Sequence, residues 1–192
     1  GVVLPDGARQ LRQYSLLDGA YEQTTSCYRV AVERSGEVSE FLHNHVAVGD
    51  TIQATLAAGD LILTDGDNPV VLLSQGIGST PMVGMLSYLA AQRSQRQVIV
   101  VHADASEAES AQKSEMERLV EQLPNARLEL YFRDQGERVD APAIIPAGAS
   151  VYLCGGVRFL QSVRDQIDAI PADQAPADVH FELFSPNDWL IS

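Results

Sequence analysis

The sequence from Val70 to Pro81 reads VVLLSQGIGSTP and joins an apolar run directly to a glycine-rich turn. Such a run is typical of a strand buried on both faces of a parallel sheet. The turn predicts the start of a helix: Gly76 and Gly78 tolerate a positive φ, Thr80 is a suitable helix cap, and proline suits a first helical turn. A turn in this position also lets a pyrophosphate approach the backbone. The candidate phosphate-binding residues are Gly76, Ile77, Gly78, Ser79, Thr80 and Pro81.

A plain strand-to-helix connection is the alternative for this turn, since Pro81 stands where the common GxGxxG pattern has its last glycine. Downstream, buried strands keep alternating with amphipathic helices. We predict strands at 70–74, 98–102, 126–132, 151–154 and 180–184, and helices at 81–93, 107–123 and 157–169. This alternation predicts a mostly parallel sheet with ligands at the carboxyl ends of its strands.

The residues before position 64 show a different pattern of short strands separated by Gly and Asp. We predict strands at 10–15, 28–34, 51–56 and 60–64, and one short helix at 39–45 with Ser39 as its N-cap. The polar cluster 64–69 then marks a change of rhythm. The fold class expected is a two-domain α+β and α/β protein, with an antiparallel barrel at 1–66 and a parallel-sheet domain at 67–192.

Composition excludes several kinds of partner. The chain has 192 residues, a formal net charge of -13 and no apolar run long enough to cross a bilayer, so we expect neither a nucleic-acid nor a membrane partner. Its start lacks the features of a secretory signal, which predicts a cytoplasmic protein. Cys27 and Cys154 show no metal-ligand spacing, and His43 and His45 point apart on a short helix. We expect no metal site and no disulfide.

A second candidate site lies near the start of the chain, at Arg12-Gln13-Tyr14-Ser15. Alternation along a strand places Arg12 and Tyr14 on one face, where a cation and an aromatic ring suit a flavin nucleotide. A half-buried surface pair is the alternative. Val38 and Ser39, at the start of the short helix, offer amides for a second anion contact, although a capped surface helix explains them equally well.

Five segments together resemble the reductase module of flavohaemoglobins, members of the ferredoxin-NADP reductase superfamily. They are RQYSL (12–16), GEVSEFLHNHVAVGD (36–50), GIGSTPMVGML (76–86), VYLCGGVRFLQSV (151–163) and HFELFSP (180–186). Their order and approximate spacing match that family over nearly the whole chain. The resemblance implies an antiparallel FAD-binding barrel followed by a parallel-sheet NAD(P)H domain.

The resemblance also implies residue roles. It assigns FAD to the Arg12–Ser15 and Val38–Ser39 segments and to a C-terminal one, and NAD(P)H to the glycine turn. Hydride would pass from the nicotinamide C4 to flavin N5 and electrons on to an acceptor. Tyr14, Ser15 and Glu182 are the implied catalytic residues. The further cofactor-binding residues implied are Cys154, Gly155 and Gly156 beside the nicotinamide, and Leu183, Phe184, Ser185 and Pro186 against FAD.

The sequence departs from the family at several points. Gly156 replaces a usual proline, Glu40 replaces asparagine, and LFSP at 183–186 replaces CFGP. The barrel also begins without its leading strands, so the chain is either a fragment or has an incomplete FAD site. The family places a haem globin domain upstream, and we expect haem only there. The alternatives are a free-standing flavin reductase for an oxygenase or ferredoxin, and a non-catalytic nucleotide-binding module.

The sequence after the second predicted strand of the parallel sheet bears on which nicotinamide is used. Asp104 follows that strand, at the position where a carboxylate can accept a hydrogen bond from the adenosine ribose and would repel a 2′-phosphate. No Lys or Arg occurs from His102 to Gln112. An exposed helix start with favourable acidic residues is the alternative for Asp104. Both interpretations predict a preference for NADH over NADPH.

Overall fold

The N-terminal part of the chain contains little regular structure. A computed structural model describes residues 1–4, 7–18 and 27–184; the predicted site residues Ser185 and Pro186 lie outside them. Strands β1 (Val2–Val3) and β2 (Arg9–Gln10) form an antiparallel pair, and Leu16 and Val30 form an isolated antiparallel bridge. One helix, α1 (Glu37–His45), follows. Val38 on this helix packs with Val2 and Leu4 in a small apolar cluster.

The strands predicted at 28–34, 51–56 and 60–64 are absent from the described part of the chain, and the one predicted at 10–15 is reduced to β2. A strand needs a continuous hydrogen-bonded neighbour, and in the described ranges these segments make only the single bridge between Leu16 and Val30. Several apolar side chains along them, among them Ile52 and Leu56, are consequently exposed. The small antiparallel sheet agrees with the expected fold class, but it is much shorter than predicted.

Helix α1 begins two residues earlier than predicted, and Ser39 is not its N-cap. Gly36 is the N-cap. The Ser39 hydroxyl acts from the third helical position: it accepts from Gly36 N–H at 2.9 Å and Ser35 N–H at 3.0 Å and donates to the Gly36 carbonyl. The capping group therefore reaches back from inside the helix to the amides of Ser35 and Gly36, whereas an N-cap side chain would bond an amide of the second or third helical residue.

The C-terminal part is a five-stranded sheet of order β5-β4-β3-β6-β7 in which all neighbours are parallel, as predicted. Two helices, α2 and α3, cover one face and two, α4 and α5, cover the other. The bounds are β3 (Val70–Gln75), α2 (Ser79–Ala91), β4 (Val98–Asp104), α3 (Lys113–Val120), β5 (Ala126–Phe132), α4 (Ala141–Ile144), β6 (Ser150–Gly155), α5 (Val157–Asp168) and β7 (Asp178–Leu183).

The single helix predicted at 107–123 is divided. A short 3-10 turn (Glu107–Glu109) precedes α3, and Ser110 between them has φ -76° and ψ 77°, which is outside the helical region. The acidic residues that favour a helix start therefore lie on this turn. Among the described residues, no helix is long and apolar enough to cross a membrane.

The two parts of the chain are in direct contact. Leu17 and Leu63 from the N-terminal part belong to the same apolar cluster as helix α2. The connecting segment is also anchored: Thr64 N–H donates to the hydroxyl of buried Tyr152 at 2.8 Å, and Arg96 donates to the Thr64 carbonyl at 2.9 Å. These contacts bring the N-terminal segment beside the face of the sheet that carries α2.

Candidate functional site

The glycine turn lies at the carboxyl end of the central strand β3. Gly76 has a φ of +54°, which confirms the positive φ predicted for it. Gly78 does not share this conformation: its φ is -60°. A Cβ at Gly78 would lie 2.5 Å from the Cys154 carbonyl oxygen and 2.9 Å from the Gly155 nitrogen. Gly78 is therefore required for close backbone packing rather than for a left-handed turn.

Helix α2 begins at Ser79, directly after the turn, and its first turn is buried. The prediction that Thr80 caps the helix is wrong, because Gly78 occupies the N-cap position. The Thr80 hydroxyl instead donates to the Ile77 carbonyl at 3.0 Å. Pro81 lies in the first turn, as predicted. The first amides of a helix have no partner within it, and no acidic side chain lies in this first turn. The arrangement can bind an anion.

Polar residues form a row across the carboxyl half of the sheet. Strand register pairs His102 with Ser74, Ser74 with Cys154, and Cys154 with Glu182. Direct partners in neighbouring parallel strands point to the same face, so the four side chains share the α2 face. Sequence reasoning selected only Cys154 and Glu182. We call the four residues the polar row.

Burial governs the ionisation of two members of the polar row. The Cys154 side chain is fully buried, and desolvation together with the nearby Glu182 carboxylate raises the pKa of its thiol. Glu182 is only partly exposed, and burial raises the pKa of its carboxyl group as well. Cys154 is consequently a neutral thiol at ordinary pH, and not a nucleophilic thiolate.

The segment after β6 combines tight and open positions. A Cβ at Gly155 would lie 2.9 Å from the Phe159 ring and 3.1 Å from Gln75 Cβ, so this position excludes larger residues. Gly156 is the N-cap of α5 with a φ of -73°, a value that proline also adopts. The replacement of the family's proline by Gly156 therefore leaves the backbone path compatible with that family.

Phe184 joins this region to the sheet, since its N–H donates to the Gly155 carbonyl at 3.2 Å and its ring packs against the cluster below α2. Leu183 is exposed at the end of β7. Both residues thus lie at the carboxyl edge beside Cys154 and Gly155. Ser185 and Pro186, predicted to continue this segment, are outside the described residues.

Asp104 is the last residue of β4 and lies at the same edge. Its Oδ1 accepts from Ala105 N–H at 2.8 Å, and its Oδ2 lies 3.4 Å from His102 Nε2. His102 was not selected from the sequence. Period-2 alternation along 98–104 would have placed it on a buried face, which is an unusual environment for a histidine without a partner.

The predicted flavin segment adopts the expected alternation without forming a strand. Arg12, Tyr14 and Ser15 are half-buried, whereas Gln13 is exposed. Burial raises the pKa of the Tyr14 hydroxyl, and the adjacent Arg12 charge opposes this shift. The Arg12 guanidinium donates to Gln10 Oε1 at 3.0 Å and to the Leu11 carbonyl at 2.7 Å. Arg12 and Tyr14 are therefore close together, as predicted.

The second predicted anion-binding site, at Val38 and Ser39, has few groups that could bind a phosphate. The Val38 side chain packs inward on Val2 and Leu4, and the Ser39 hydroxyl is occupied within its own turn. Glu37 and Glu40 also place carboxylates in the first turn of α1. Only the backbone amides of this helix start are suited to a phosphate.

Metal binding has no support in the described part of the chain. No group of three His, Cys, Asp or Glu side chains there is placed to hold an ion. His43 and His45 are both exposed, and His43 Nε2 lies 2.8 Å from the Val32 carbonyl oxygen.

The C-terminal part of the chain is similar to a known family of domains. A family model described as the oxidoreductase NAD-binding domain matches residues 72–165. The matched stretch contains the glycine turn, Asp104 and the segment around Cys154. Together with the parallel sheet and the turn at its centre, this match defines an oxidoreductase of the NAD-binding class.

Individual relatives then define the family. The flavohemoprotein of Vibrio cholerae serotype O1 is 35% identical over 207 residues, which cover 99% of this chain and 51% of the relative. The crystal structure of the flavohem-like FAD/NAD binding domain of nitric oxide dioxygenase from Vibrio cholerae O1 biovar El Tor has a TM-score of 0.84 and 32% identity, and the match covers 96% of this chain and 82% of that one. The chain belongs to the flavohaemoglobin family.

A second structure extends the likeness to a longer protein. The flavohemoglobin of Malassezia yamatoensis, crystallised with bound FAD and heme, has a TM-score of 0.77 and 28% identity, covering 94% of this chain and 49% of that one. The chain spans about half the length of the curated relatives it matches.

Proposed function

We propose that this chain is the reductase part of a flavohaemoglobin, which passes electrons from NADH through FAD to haem in a globin domain joined upstream. The whole protein would then act as a nitric oxide dioxygenase. The observation that carries the proposal is the glycine turn at the end of β3, packed backbone to backbone on Cys154 and followed at once by a buried helix start.

The NADH site proposed uses the carboxyl edge of the sheet. The amides of the glycine turn and of the first turn of α2 would bind the pyrophosphate. Asp104 would accept from the adenosine ribose. Cys154, Gly155 and Gly156, at the end of β6, would lie beside the nicotinamide ring, and Gly156 would leave it space, because the nearest atom to its missing Cβ is Gln75 Oε1 at 3.7 Å. These residues orient the ring and shield it from water.

The FAD site proposed lies on the face of the sheet that carries α2. Arg12 suits the pyrophosphate, since no carboxylate in the described ranges forms an ion pair with it. Tyr14 and Ser15 would lie beside the ring system with Gln13 nearby, and the remaining contacts would come from the amides of Val38 and Ser39 and from Leu183, Phe184, Ser185 and Pro186. Bound FAD supplies the step from a two-electron donor to one-electron transfer.

The roles proposed for individual residues rest on the family resemblance and are supported by their surroundings. Ser15 would hold a proton near the reacting flavin nitrogen, and Tyr14 would pack against the ring. Glu182, beside the neutral Cys154 thiol, would adjust the charge near the flavin. The division into domains at residues 66 and 67 belongs to the same proposal. So does a cytoplasmic location, where NADH is regenerated.

The test uses the full chain purified with added FAD and titrated anaerobically with NADH. We expect loss of the oxidised-flavin absorbance with NADH, and a weaker response to NADPH. Arg12→Ala should weaken FAD binding without changing the circular dichroism spectrum. A colourless chain that binds no FAD would support the non-catalytic alternative. A flavin that is reduced by NADH but transfers no electrons to the globin part of the natural polypeptide would support a free-standing reductase.

A further inference from the structure

Two buried polar residues of the polar row lie between the glycine turn and Asp104. Ser74 is fully buried and His102 is 1% exposed. The Ser74 Oγ lies 2.9 Å from His102 Nδ1 and 3.3 Å from the Val101 carbonyl oxygen. Burying a histidine in a sheet is costly unless its nitrogens have partners. The surroundings of the second ring nitrogen of His102, Nε2, therefore decide whether its burial is compensated.

That nitrogen, Nε2, faces the carboxylate of Asp104. It is buried, lies 3.4 Å from Asp104 Oδ2 and makes no hydrogen bond to any of the described residues. Burial lowers the pKa of His102 and keeps the ring neutral, against the raising effect of Asp104. A neutral ring carries one proton, and a carboxylate beside Nε2 favours the proton on that nitrogen. Ser74 then donates to Nδ1.

The result is a chain of three polar groups, from Ser74 through His102 to Asp104. One carboxylate oxygen of Asp104 is held by Ala105 N–H and the other faces Nε2–H. A carboxylate has about four acceptor positions, so two such contacts leave room for a ligand. Both contacts come from rigid strand positions or the adjacent backbone, which restricts the carboxylate to one orientation.

We propose that His102 is a positioning residue that orients the Asp104 carboxylate toward the adenosine ribose and so contributes to discrimination between NADH and NADPH. This inference rests on the proposed function. An oriented carboxylate can accept from a 2′-hydroxyl, whereas it opposes a 2′-phosphate, and no Lys or Arg from 102 to 112 offsets that repulsion. Ser74 supports the orientation by donating to Nδ1, which restricts the rotation of the His102 ring.

The test measures binding to the full chain by calorimetry, with 5′-AMP and 2′,5′-ADP as probes of the adenosine half and NAD⁺ and NADP⁺ as whole ligands. His102→Leu removes both ring nitrogens at similar volume. We expect it to weaken 5′-AMP and NAD⁺ binding about tenfold. The preference for 5′-AMP over 2′,5′-ADP, and for NAD⁺ over NADP⁺, should become smaller. His102→Gln, which retains a donor, should recover part of the preference for the ligands without a 2′-phosphate.

Tyr152→Phe is the matched control, since it removes another buried hydroxyl on the same face of the sheet away from the proposed site. It should lower stability and leave the ligand preference unchanged.

If His102→Leu fails to fold, Ser74→Ala replaces it and should also reduce the preference for NAD⁺ over NADP⁺. An unchanged preference in the folded variant would overturn the inference. A parent chain that binds none of the four probes would overturn the proposed function, and this inference with it.

Discussion

At the scale of the residue, the two glycines of the turn serve different purposes. Gly76 takes a positive φ with no atom near its missing side chain, whereas Gly78 has an ordinary φ but no space. A side chain at Gly76 would strain the backbone, whereas a side chain at Gly78 would clash with the Cys154 carbonyl. The polar row shows the same dependence on surroundings, because the ionisation of Cys154 and Glu182 follows from burial.

Gly78→Ala should abolish flavin reduction by NADH and leave FAD bound. The new Cβ would collide with the Cys154 carbonyl, and overpacking of this kind costs about 1–3 kcal/mol. Anaerobic absorbance measurements and thermal unfolding would measure both effects. Gly148→Ala, a glycine change on the connection before β6, is the control for stability and should retain reduction. Joint loss of FAD and NADH responses would place Gly78 in the flavin site or the folding core instead.

Glu182→Gln should raise the melting temperature near neutral pH. Burial raises the pKa of this carboxyl in the folded chain, so the unfolded chain ionises first. Ionisation therefore favours unfolding as the pH rises above the ordinary glutamate pKa of 4.5, and the amide removes that cost. The gain should vanish below that pH, where both states are protonated. Glu121→Gln, at an exposed position, controls for net charge. An equal gain at every pH would contradict the explanation.

At the scale of the element, helix α1 depends on a single hydroxyl. Three hydrogen bonds of Ser39 close the turn that begins the helix, and the apolar contacts of Val38 hold its inner face. The helix has only nine residues, which is too short to be stable alone. Its start therefore depends on this cap and on β1.

Ser39→Ala should lower the free energy of unfolding by about 1 kcal/mol, the usual cost of a lost helix cap. FAD affinity should fall as well if the amides of this turn bind phosphate. Urea unfolding and flavin titration measure the two effects. Ser35→Ala is the matched control, because Ser35 contributes only its backbone N–H to the turn. No difference between the two variants would show that the hydroxyl is dispensable.

At the scale of the whole molecule, contact between the two parts depends on α2. The Leu16 carbonyl approaches Gly84 on this helix so closely that a Cβ there would overlap it. Leu17 follows directly and is buried in the α2 cluster. The segment that carries Tyr14 and Ser15 is thus attached to the helix that begins at the glycine turn. Flavin and nicotinamide sites are thereby linked through one helix.

Gly84→Ala should push the 14–17 segment away from α2. We expect slower reduction of bound flavin by NADH and a loss of stability of about 1–3 kcal/mol from overpacking, with NAD⁺ affinity little changed. Stopped-flow absorbance and calorimetry measure these quantities. Ser87→Ala, on the same helix, is the control and should behave like the parent chain. A fully normal reduction rate in a folded Gly84→Ala variant would show that the contact does not position the flavin segment.

The sequence by itself determined the order of strands and helices in the C-terminal part, the parallel sheet and the location of the glycine turn. These features follow from local signals: apolar runs, helical periodicity and glycine or proline at defined positions. It also selected Asp104, because this residue follows a predicted strand, whereas Cys154 and Glu182 were selected through the resemblance to flavohaemoglobins. The short strands of the N-terminal part were predicted poorly, because pairing depends on neighbours that local alternation does not specify.

Only the tertiary structure decided how distant residues meet. Strand register placed His102, Ser74, Cys154 and Glu182 side by side, and it placed the Cys154 carbonyl where Gly78 must lack a side chain. The Ser39 cap and the Leu16–Gly84 contact arose in the same way. The physical reason is that register and close approach are set by packing between segments far apart in the chain, whereas periodicity reports only on a residue's own element.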